Sequence, residues 1–123
     1  MSNVNSDSQF EQIRSDIRQF VAERDWGQFH TPKNLATALT VEAAELLEHF
    51  QWLQTGSRVE LGEEKHRRVQ HEMADVMVYL MHLAEQLEVD LFGAVREKMV
   101  LNRIKYPADQ VRGDARKYDE YKG

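Results

Sequence analysis

The sequence predicts an all-α protein with four main helices. Apolar residues recur at steps of three, four and seven along most of the 123 residues, which is the period of an amphipathic helix, and no segment alternates like a strand. The chain length favours a single domain, which we place at residues 1–109. Residues 110–123 are charged and short of apolar side chains, so we expect a mobile tail or an arm over a neighbouring subunit.

The first two helices are predicted from apolar periodicity and from a capping pair. The first should span about residues 8–24, and Asp25-Trp26-Gly27 should break it. Thr31 is a candidate N-cap and Pro32 suits the first helical position, so the second helix should begin there. We expect the second helix to end near Leu53.

The third and fourth helices follow a predicted loop at residues 54–62, which contains two glycines and a serine. The third helix should span about residues 63–87 and includes an entirely apolar segment at residues 76–81. A helix that is apolar on every side is buried on every side, so in such a small chain this segment predicts an oligomer. Asp90 can cap a fourth helix that ends near Lys105.

The composition excludes several classes of protein. There are 16 Lys and Arg against 21 Asp and Glu, a formal charge of −5, which argues against a nucleic-acid polymer as partner. The chain has no cysteine, so disulfide and thiol chemistry are excluded and a reducing compartment is compatible. No apolar run approaches the roughly 20 residues that span a bilayer, and the first residues are too polar for a signal peptide. We therefore expect a cytoplasmic protein without a membrane partner.

Two pairs of acidic residues lie within or at the border of the apolar stripes of the second and third helices. Glu42 falls inside the apolar stripe of the second helix with Glu45 beside it, and Glu72 and Asp75 repeat this spacing on the third. Either pair alone is more typical of a solvated helix face, but the two together favour a site. Carboxylates about 4 Å apart repel by roughly 4 kcal/mol at an effective dielectric near 20, so the cluster should take up protons or bind a cation. Oxygen ligands favour Mg²⁺ or Mn²⁺.

Further polar and aromatic residues could hold an anionic, flat ligand. Lys98, Asn102 and Tyr106 recur every four residues on the fourth helix and could bind anionic oxygens, although a solvated face would also explain the first two. Trp26 and Trp52 are the only tryptophans, and near a metal centre they are candidate stacking platforms.

Several short motifs together carry a family resemblance. They are Glu42-Ala43-Ala44-Glu45, Phe50-Gln51-Trp52, Glu72-Met73-Ala74-Asp75-Val76, and Lys98-Met99-Val100-Leu101-Asn102 with Lys105-Tyr106-Pro107. This set resembles the MazG-like all-α nucleotide pyrophosphohydrolases. The segment FVAERDWGQFHTPKNLATAL is similar to the branch of small dCTP pyrophosphatases.

The resemblance implies a four-helix MazG-like subunit that assembles into an oligomeric helical bundle, as a homotetramer or a dimer. It also implies Mg²⁺-dependent hydrolysis of a nucleoside triphosphate, dCTP or a modified dCTP, to the monophosphate and pyrophosphate, as in sanitation of the nucleotide pool. Vertebrate members carry a histidine on the first helix near the base where this chain has Ile17, which leaves base selectivity open.

Residue roles follow from the same resemblance. The four carboxylates Glu42, Glu45, Glu72 and Asp75 would hold Mg²⁺, with Mn²⁺ as a substitute, and would be the catalytic residues. Glu45 is our candidate for the general base that takes a proton from the attacking water. The residues implied in substrate binding are Trp26, His30, Trp52, Tyr79, Lys98, Asn102 and Tyr106.

Other interpretations stay open at this point. A non-enzymatic helical oligomerisation module would explain the apolar third helix but not Glu42 in a core stripe. A metal-binding sensor or storage bundle would explain the acidic residues but not Lys98, Asn102 and the tryptophans. Within the enzymes, a pyrophosphohydrolase acting on phosphoribosyl-ATP or dUTP is the nearest alternative.

Overall fold

Helices make up most of the described chain, as the sequence predicts. A computed structural model describes residues 6–114, and this range contains no strand, so the all-α class is confirmed. The range divides into two compact units, residues 6–88 and residues 89–114. The helices are α1 (Ser6–Glu23), α2 (Pro32–Glu48), α3 (Arg58–Gln86), α4 (Leu91–Lys105) and the short α5 (Ala108–Val111), with a 3-10 turn at Gly27–Phe29.

The break after α1 is a hydrogen-bonded helix stop. Asp25 has a left-handed φ of 52°, and its N–H donates to the carbonyl of Ala22 at 3.1 Å. The N–H of Trp26 donates to the carbonyl of Val21, also at 3.1 Å. These two bonds define a Schellman motif, in which a residue with positive φ ends the helix and the next apolar residue folds back onto its last turn. The predicted break at residues 25–27 is therefore correct.

The second helix begins as predicted but ends earlier. The hydroxyl of Thr31 accepts a hydrogen bond from the Asn34 N–H at 3.2 Å, and Pro32 occupies the first turn. The predicted continuation to Leu53 is wrong, because α2 ends at Glu48 and the chain then makes turns. The Phe50 ring lies against Gly56, where a Cβ atom would come within 2.5 Å of it. Side-chain packing against a later loop, which helical periodicity does not encode, ends this helix.

A single carboxylate organises the loop between α2 and α3. Glu60 accepts backbone hydrogen bonds from Gln54 at 2.8 Å, Thr55 at 3.0 Å and Gly56 at 2.8 Å. These bonds, led by the one from Gln54, lower the pKa of Glu60 to about 2, because each donor favours the charged form. The loop is thereby fixed to the first turn of the helix that follows it.

The start of α3 corrects the predicted loop at residues 54–62. Ser57 caps the helix by accepting from the Glu60 N–H at 3.3 Å, so residues 58–61 already form a helical turn. Gly62 then interrupts the helix with a φ of 77° and a ψ of 166°. The uninterrupted part of α3 therefore starts at Glu63, where the apolar periodicity places it.

The core of the first unit lies where α2 and α1 pack on α3. Glu85 of α3 forms ion pairs with Arg14 and Arg18 of α1. The predicted apolar segment at residues 76–81 is only partly enclosed within one chain, since Met81 is 2% exposed but Met77 is 48% exposed. The buried side chains of this unit are Val21, Leu35, Val69, Met81, His82 and Ala84.

The second unit contains α4 and α5. The carboxylate of Asp90 accepts from the Gly93 N–H at 3.1 Å, so Asp90 caps α4 as predicted. The single domain at residues 1–109 stays a prediction. Of the predicted tail at residues 110–123, the part at 115–123 lies outside the described residues. None of the helices between residues 6 and 114 combines the length and apolar character needed to cross a bilayer.

Candidate active site

Packing of α2 on α3 brings three of the four predicted carboxylates together. One carboxylate oxygen from each of Glu42, Glu45 and Glu72 lies within 4.8 Å of the other two. Glu42 and Glu72 are half-buried, and the Oε2 atom of each is enclosed without a hydrogen-bond partner in the described chain. Enclosed polar atoms normally have a hydrogen-bond partner, so these two oxygens are suited to bind a cation or a proton. We refer to these three residues as the carboxylate triad.

The electrostatics of the triad centre on Glu42. The pKa of this carboxyl is raised from 4.5 to about 7, mainly by burial and then by hydrogen bonding to Glu45 and by the charge on Glu45. Smaller contributions come from a hydrogen bond with Glu72 and from the charge of Asp75. Without a cation, then, the triad relieves its repulsion by holding a proton near neutral pH.

The donor set of the triad suits a metal ion. Three carboxylates converge, two of their oxygens lack partners among the described residues, and every available donor is oxygen. Hard divalent cations such as Mg²⁺ and Mn²⁺ prefer such ligands. The cluster can therefore hold a divalent cation.

A cavity of about 470 Å³ lies beside α1 and α3, near the 3-10 turn. Four residues singled out from the sequence line it together: Trp26, His30, Asp75 and Tyr79. Asp75 is exposed and also acts electrostatically on Glu42, so it connects this cavity with the carboxylate triad. The other lining residues are Ile13, Asp16, Ile17, Phe20, Val21, Val78 and His82.

Trp26 is held at the cavity by the motif that ends α1 and by neighbouring rings. Its ring centroid is 5.7 Å from that of Phe20 at an interplanar angle of 74°, and 6.3 Å from that of His30 at 62°. Near-perpendicular contacts of this kind fix the orientation of an aromatic ring. The indole is 43% exposed, so part of its surface is open to a ligand.

His82 belongs to the same cavity and was not predicted from the sequence. His82 is 6% exposed, and its Nε2 atom is 3.1 Å from Nδ1 of His30. Helical spacing could have found it, because Asp75, Tyr79 and His82 are separated by four and three residues and therefore share one face of α3. Asp16 of α1 was also missed, and no motif in the sequence points to it.

The remaining predicted site residues lie elsewhere. Trp52 is 87% exposed in the turns after α2 and does not line the cavity of the described chain, so one chain alone does not place both predicted stacking platforms, Trp26 and Trp52, as a sandwich around a base there. Lys98 and Asn102 lie on α4 in the second unit, and the Tyr106 N–H donates to the Asn102 carbonyl at 2.8 Å. Their role in phosphate binding stays a prediction.

The family of the chain is decided by comparison with known proteins. The family model described as MazG-like matches residues 37–121, well over half of the sequence. This chain belongs to the MazG-like family. The predicted resemblance is thereby confirmed. The matched range contains the carboxylate triad, Asp75 and the predicted residues of α4, whereas Trp26 and His30 precede it.

Individual relatives of this MazG-like chain extend the similarity to its first helix. Human dCTP pyrophosphatase 1 is 46% identical over 112 residues, which are 89% of this chain and 66% of the human protein. The protein of the same name from Bos taurus is 42% identical over 121 residues, 96% of this chain and 71% of that protein. The MazG-like chain thus spans slightly less than two thirds of the length of its human relative.

A solved structure supports the same relationship. The crystal structure of a pyrophosphatase from Archaeoglobus fulgidus DSM 4304 superposes on this MazG-like chain with a TM-score of 0.75 at 40% sequence identity. The superposition covers 80% of this chain and 93% of the archaeal protein.

Proposed function

We propose that this MazG-like protein is a Mg²⁺-dependent nucleoside triphosphate pyrophosphohydrolase. Its substrate would be dCTP or a modified dCTP, and its products the monophosphate and pyrophosphate. One observation carries the proposal: a carboxylate triad fit for a divalent cation is connected through Asp75 to a cavity lined by Trp26, His30 and Tyr79. The relatives named dCTP pyrophosphatase 1 and the archaeal pyrophosphatase support it.

The carboxylates would hold the cation and accept a proton. Glu42, Glu45, Glu72 and Asp75 would bind Mg²⁺, with Mn²⁺ as a substitute, and the bound ion would offset the negative charge of the triphosphate and ease deprotonation of water. Glu42 and Glu72 each offer an enclosed oxygen without a partner in the described part of the chain, whereas Glu45 is not among these. This difference favours Glu45 as the general base for the water that attacks the α-phosphorus.

The cavity would hold the nucleoside. A volume of about 470 Å³ is within the range of small-molecule sites, and a flat pyrimidine can stack on the half-exposed Trp26. Stacking tolerates any base, so selectivity would come from hydrogen bonds of His30 and Tyr79 to the base edge or the sugar. Lys98, Asn102 and Tyr106 would bind the phosphates.

We further propose that the protein is a homo-oligomer, a dimer or a tetramer. Two apolar side chains of α3 are exposed, Met73 at 57% and Met77 at 48%, and Met77 belongs to the predicted apolar segment at residues 76–81. Trp52 is more exposed still, and a second copy would cover this ring, which residues 6–114 of its own chain leave open. Analytical ultracentrifugation tests this directly, and a stable folded monomer at micromolar concentration would contradict it.

The cytoplasmic location stays a prediction.

The experiment for the activity is a substrate screen with product identification. The purified chain with Mg²⁺ is assayed against the common ribo- and deoxynucleoside triphosphates. We expect dCTP to give dCMP and pyrophosphate in equal amounts, since attack at the α-phosphorus cannot release orthophosphate directly. Orthophosphate with dCDP as first products would overturn the mechanism. A Glu→Gln variant of any triad residue should abolish this activity. Glu64→Gln removes the same charge at an exposed residue paired with Arg68 and is the matched control.

A further inference from the structure

The contact between His30 and His82 places two imidazoles in a defined relationship at the cavity. Nδ1 of His30 and Nε2 of His82 are 3.1 Å apart, and the ring centroids are 5.1 Å apart at 74°. A separation of this size is a hydrogen bond, and one nitrogen must donate while the other accepts. When both rings are neutral, this hydrogen bond can form in two ways.

The two arrangements present different groups to a ligand. In the first, the Nε2–H of His82 donates to Nδ1 of His30, which leaves His30 with a proton on its own Nε2. In the second, the Nδ1–H of His30 donates to His82, and Nε2 of His30 is a bare acceptor. His30 therefore offers the cavity an N–H donor in the first case and a lone pair in the second.

The surroundings of the other nitrogen of His82 decide between them. Nδ1 of His82 is enclosed and has no hydrogen-bond partner among the described residues. The second arrangement would place a proton on this atom and so bury an N–H group without an acceptor, which folded proteins avoid more strictly than an unused lone pair. Glu85, the carboxylate one turn further along α3, is already engaged by Arg18.

The charge state of His82 is consistent with this choice. Burial lowers its pKa, the nearby His30 lowers it further, and Glu85 opposes the change. His82 also lines a second cavity of about 410 Å³ with Arg18, Asp25 and Glu85. His82 is thus a neutral ring at neutral pH, and a neutral ring has one proton to place.

We propose that His82 is a positioning residue that holds His30 in the Nε2–H tautomer, so that His30 presents a hydrogen-bond donor to the nucleobase. The proposal rests on the function proposed above. Two positions on the pyrimidine edge change character: N3 accepts in cytosine and donates in uracil and thymine, whereas the group on C4 donates in cytosine and accepts in uracil and thymine. We place the His30 donor opposite N3, where it favours cytosine, because a donor facing a donor leaves both unpaired.

The first test needs no ligand and is independent of activity. Long-range ¹H–¹⁵N NMR of the full chain, labelled at histidine, reports which nitrogen of each ring carries the proton. We expect His30 to be protonated at Nε2 in the wild type and in His82→Gln, whose amide N–H can replace the donor. In His82→Leu the share of the Nε2–H tautomer should fall to that of a free histidine side chain. His30→Gln assigns the resonances, and circular dichroism verifies that each variant is folded. A wild-type His30 protonated at Nδ1 would overturn the proposal.

The second test measures selectivity. With Mg²⁺, the ratio of kcat/KM for dCTP over dUTP should fall about tenfold in His82→Leu, mainly through the KM for dCTP, which is the effect of one hydrogen bond. His82→Gln should retain most of the ratio. An unchanged ratio in a folded His82→Leu would reject the role in selectivity. If the wild type hydrolyses no nucleotide, the proposed function fails, while the NMR result still decides the tautomer.

Discussion

The N–H of Trp26 donates to the carbonyl of Val21 across the left-handed Asp25, and the same bond that ends α1 thereby places the indole at the cavity. The side chains of Val21 and Trp26 both line that cavity. The motif that ends α1 therefore also positions the Trp26 ring.

Substitution of Asp25 should separate backbone strain from side-chain effects. Asp25→Val should destabilise the protein by about 1–2 kcal/mol, because a β-branched residue is strained at a φ of 52°. Asp25→Gly should be close to neutral, since glycine adopts this conformation freely but loses the hydrogen bond from Gln28. Urea denaturation measures both, and equal losses for the two variants would show that the side-chain bond, not φ, is what matters.

Variants of the carboxylate triad and of Asp75 should lose activity without losing the fold. Glu42→Gln, Glu45→Gln, Glu72→Gln and Asp75→Asn should each lower kcat by at least about 100-fold, because a catalytic metal contributes several kcal/mol and each 1.4 kcal/mol is tenfold. Steady-state kinetics with Mg²⁺ measures the loss, with Glu64→Gln as the control. Undiminished Mg²⁺-dependent turnover in any two of the four variants would exclude these carboxylates as the metal site.

The metal-free protein should become less stable as the pH rises. Glu42 has a folded pKa of about 7 against 4.5 for the ordinary group, so its contribution is complete below pH 4.5 and is lost as the pH passes 7. In this window the unfolded chain releases a proton that the folded chain keeps. Thermal melts in a chelator from pH 4.5 to 8 should show the decline in the wild type and a smaller one in Glu42→Gln. A parallel decline in both would contradict the assignment.

Glu60 should act in the opposite sense and in a lower pH window. Its folded pKa of about 2 lies below the ordinary 4.5, so its stabilising contribution is present above pH 4.5 and is lost as the pH falls toward 2. Glu60→Gln should lower the melting temperature at pH 7, and the difference from the wild type should shrink on acidification. Glu64→Gln is again the control. A pH-independent difference would mean that packing and not charge fixes the loop.

Trp52 offers a test of base stacking that is free of folding effects. The side chain is 87% exposed, so Trp52→Ala should leave the stability of the isolated chain unchanged. If a second copy brings this indole to the base, the KM for dCTP should rise about tenfold or more, since stacking contributes about 1–3 kcal/mol per base. A loosely held base also misplaces the α-phosphorus, so kcat should fall as well. Kinetics identical to the wild type would reject the sandwich.

Local features of the sequence were sufficient for much of this structure. Thr31 and Asp90 could be predicted as caps because the signal is contained in three or four residues. The convergence of Glu42 and Glu72 could be predicted because these acidic residues lie within or at the border of apolar helix stripes. The end of α2 could not be predicted, because it depends on Phe50 packing against Gly56 across a loop. His82 was missed because a histidine on an apolar helix is usually a core residue, although its spacing from Asp75 and Tyr79 places it on their face of α3 and its distance from His30 shows the contact.

The raised pKa of Glu42 has a calorimetric consequence. Near neutral pH some of the metal-free molecules still carry the proton on Glu42, and a divalent cation that binds the triad must displace it. Apparent affinity for Mg²⁺ should therefore strengthen with alkalinity, and the heat measured on titration should vary with the ionisation enthalpy of the buffer. At the enclosed oxygens of the triad, cation uptake is therefore the exchange of a proton for a divalent ion.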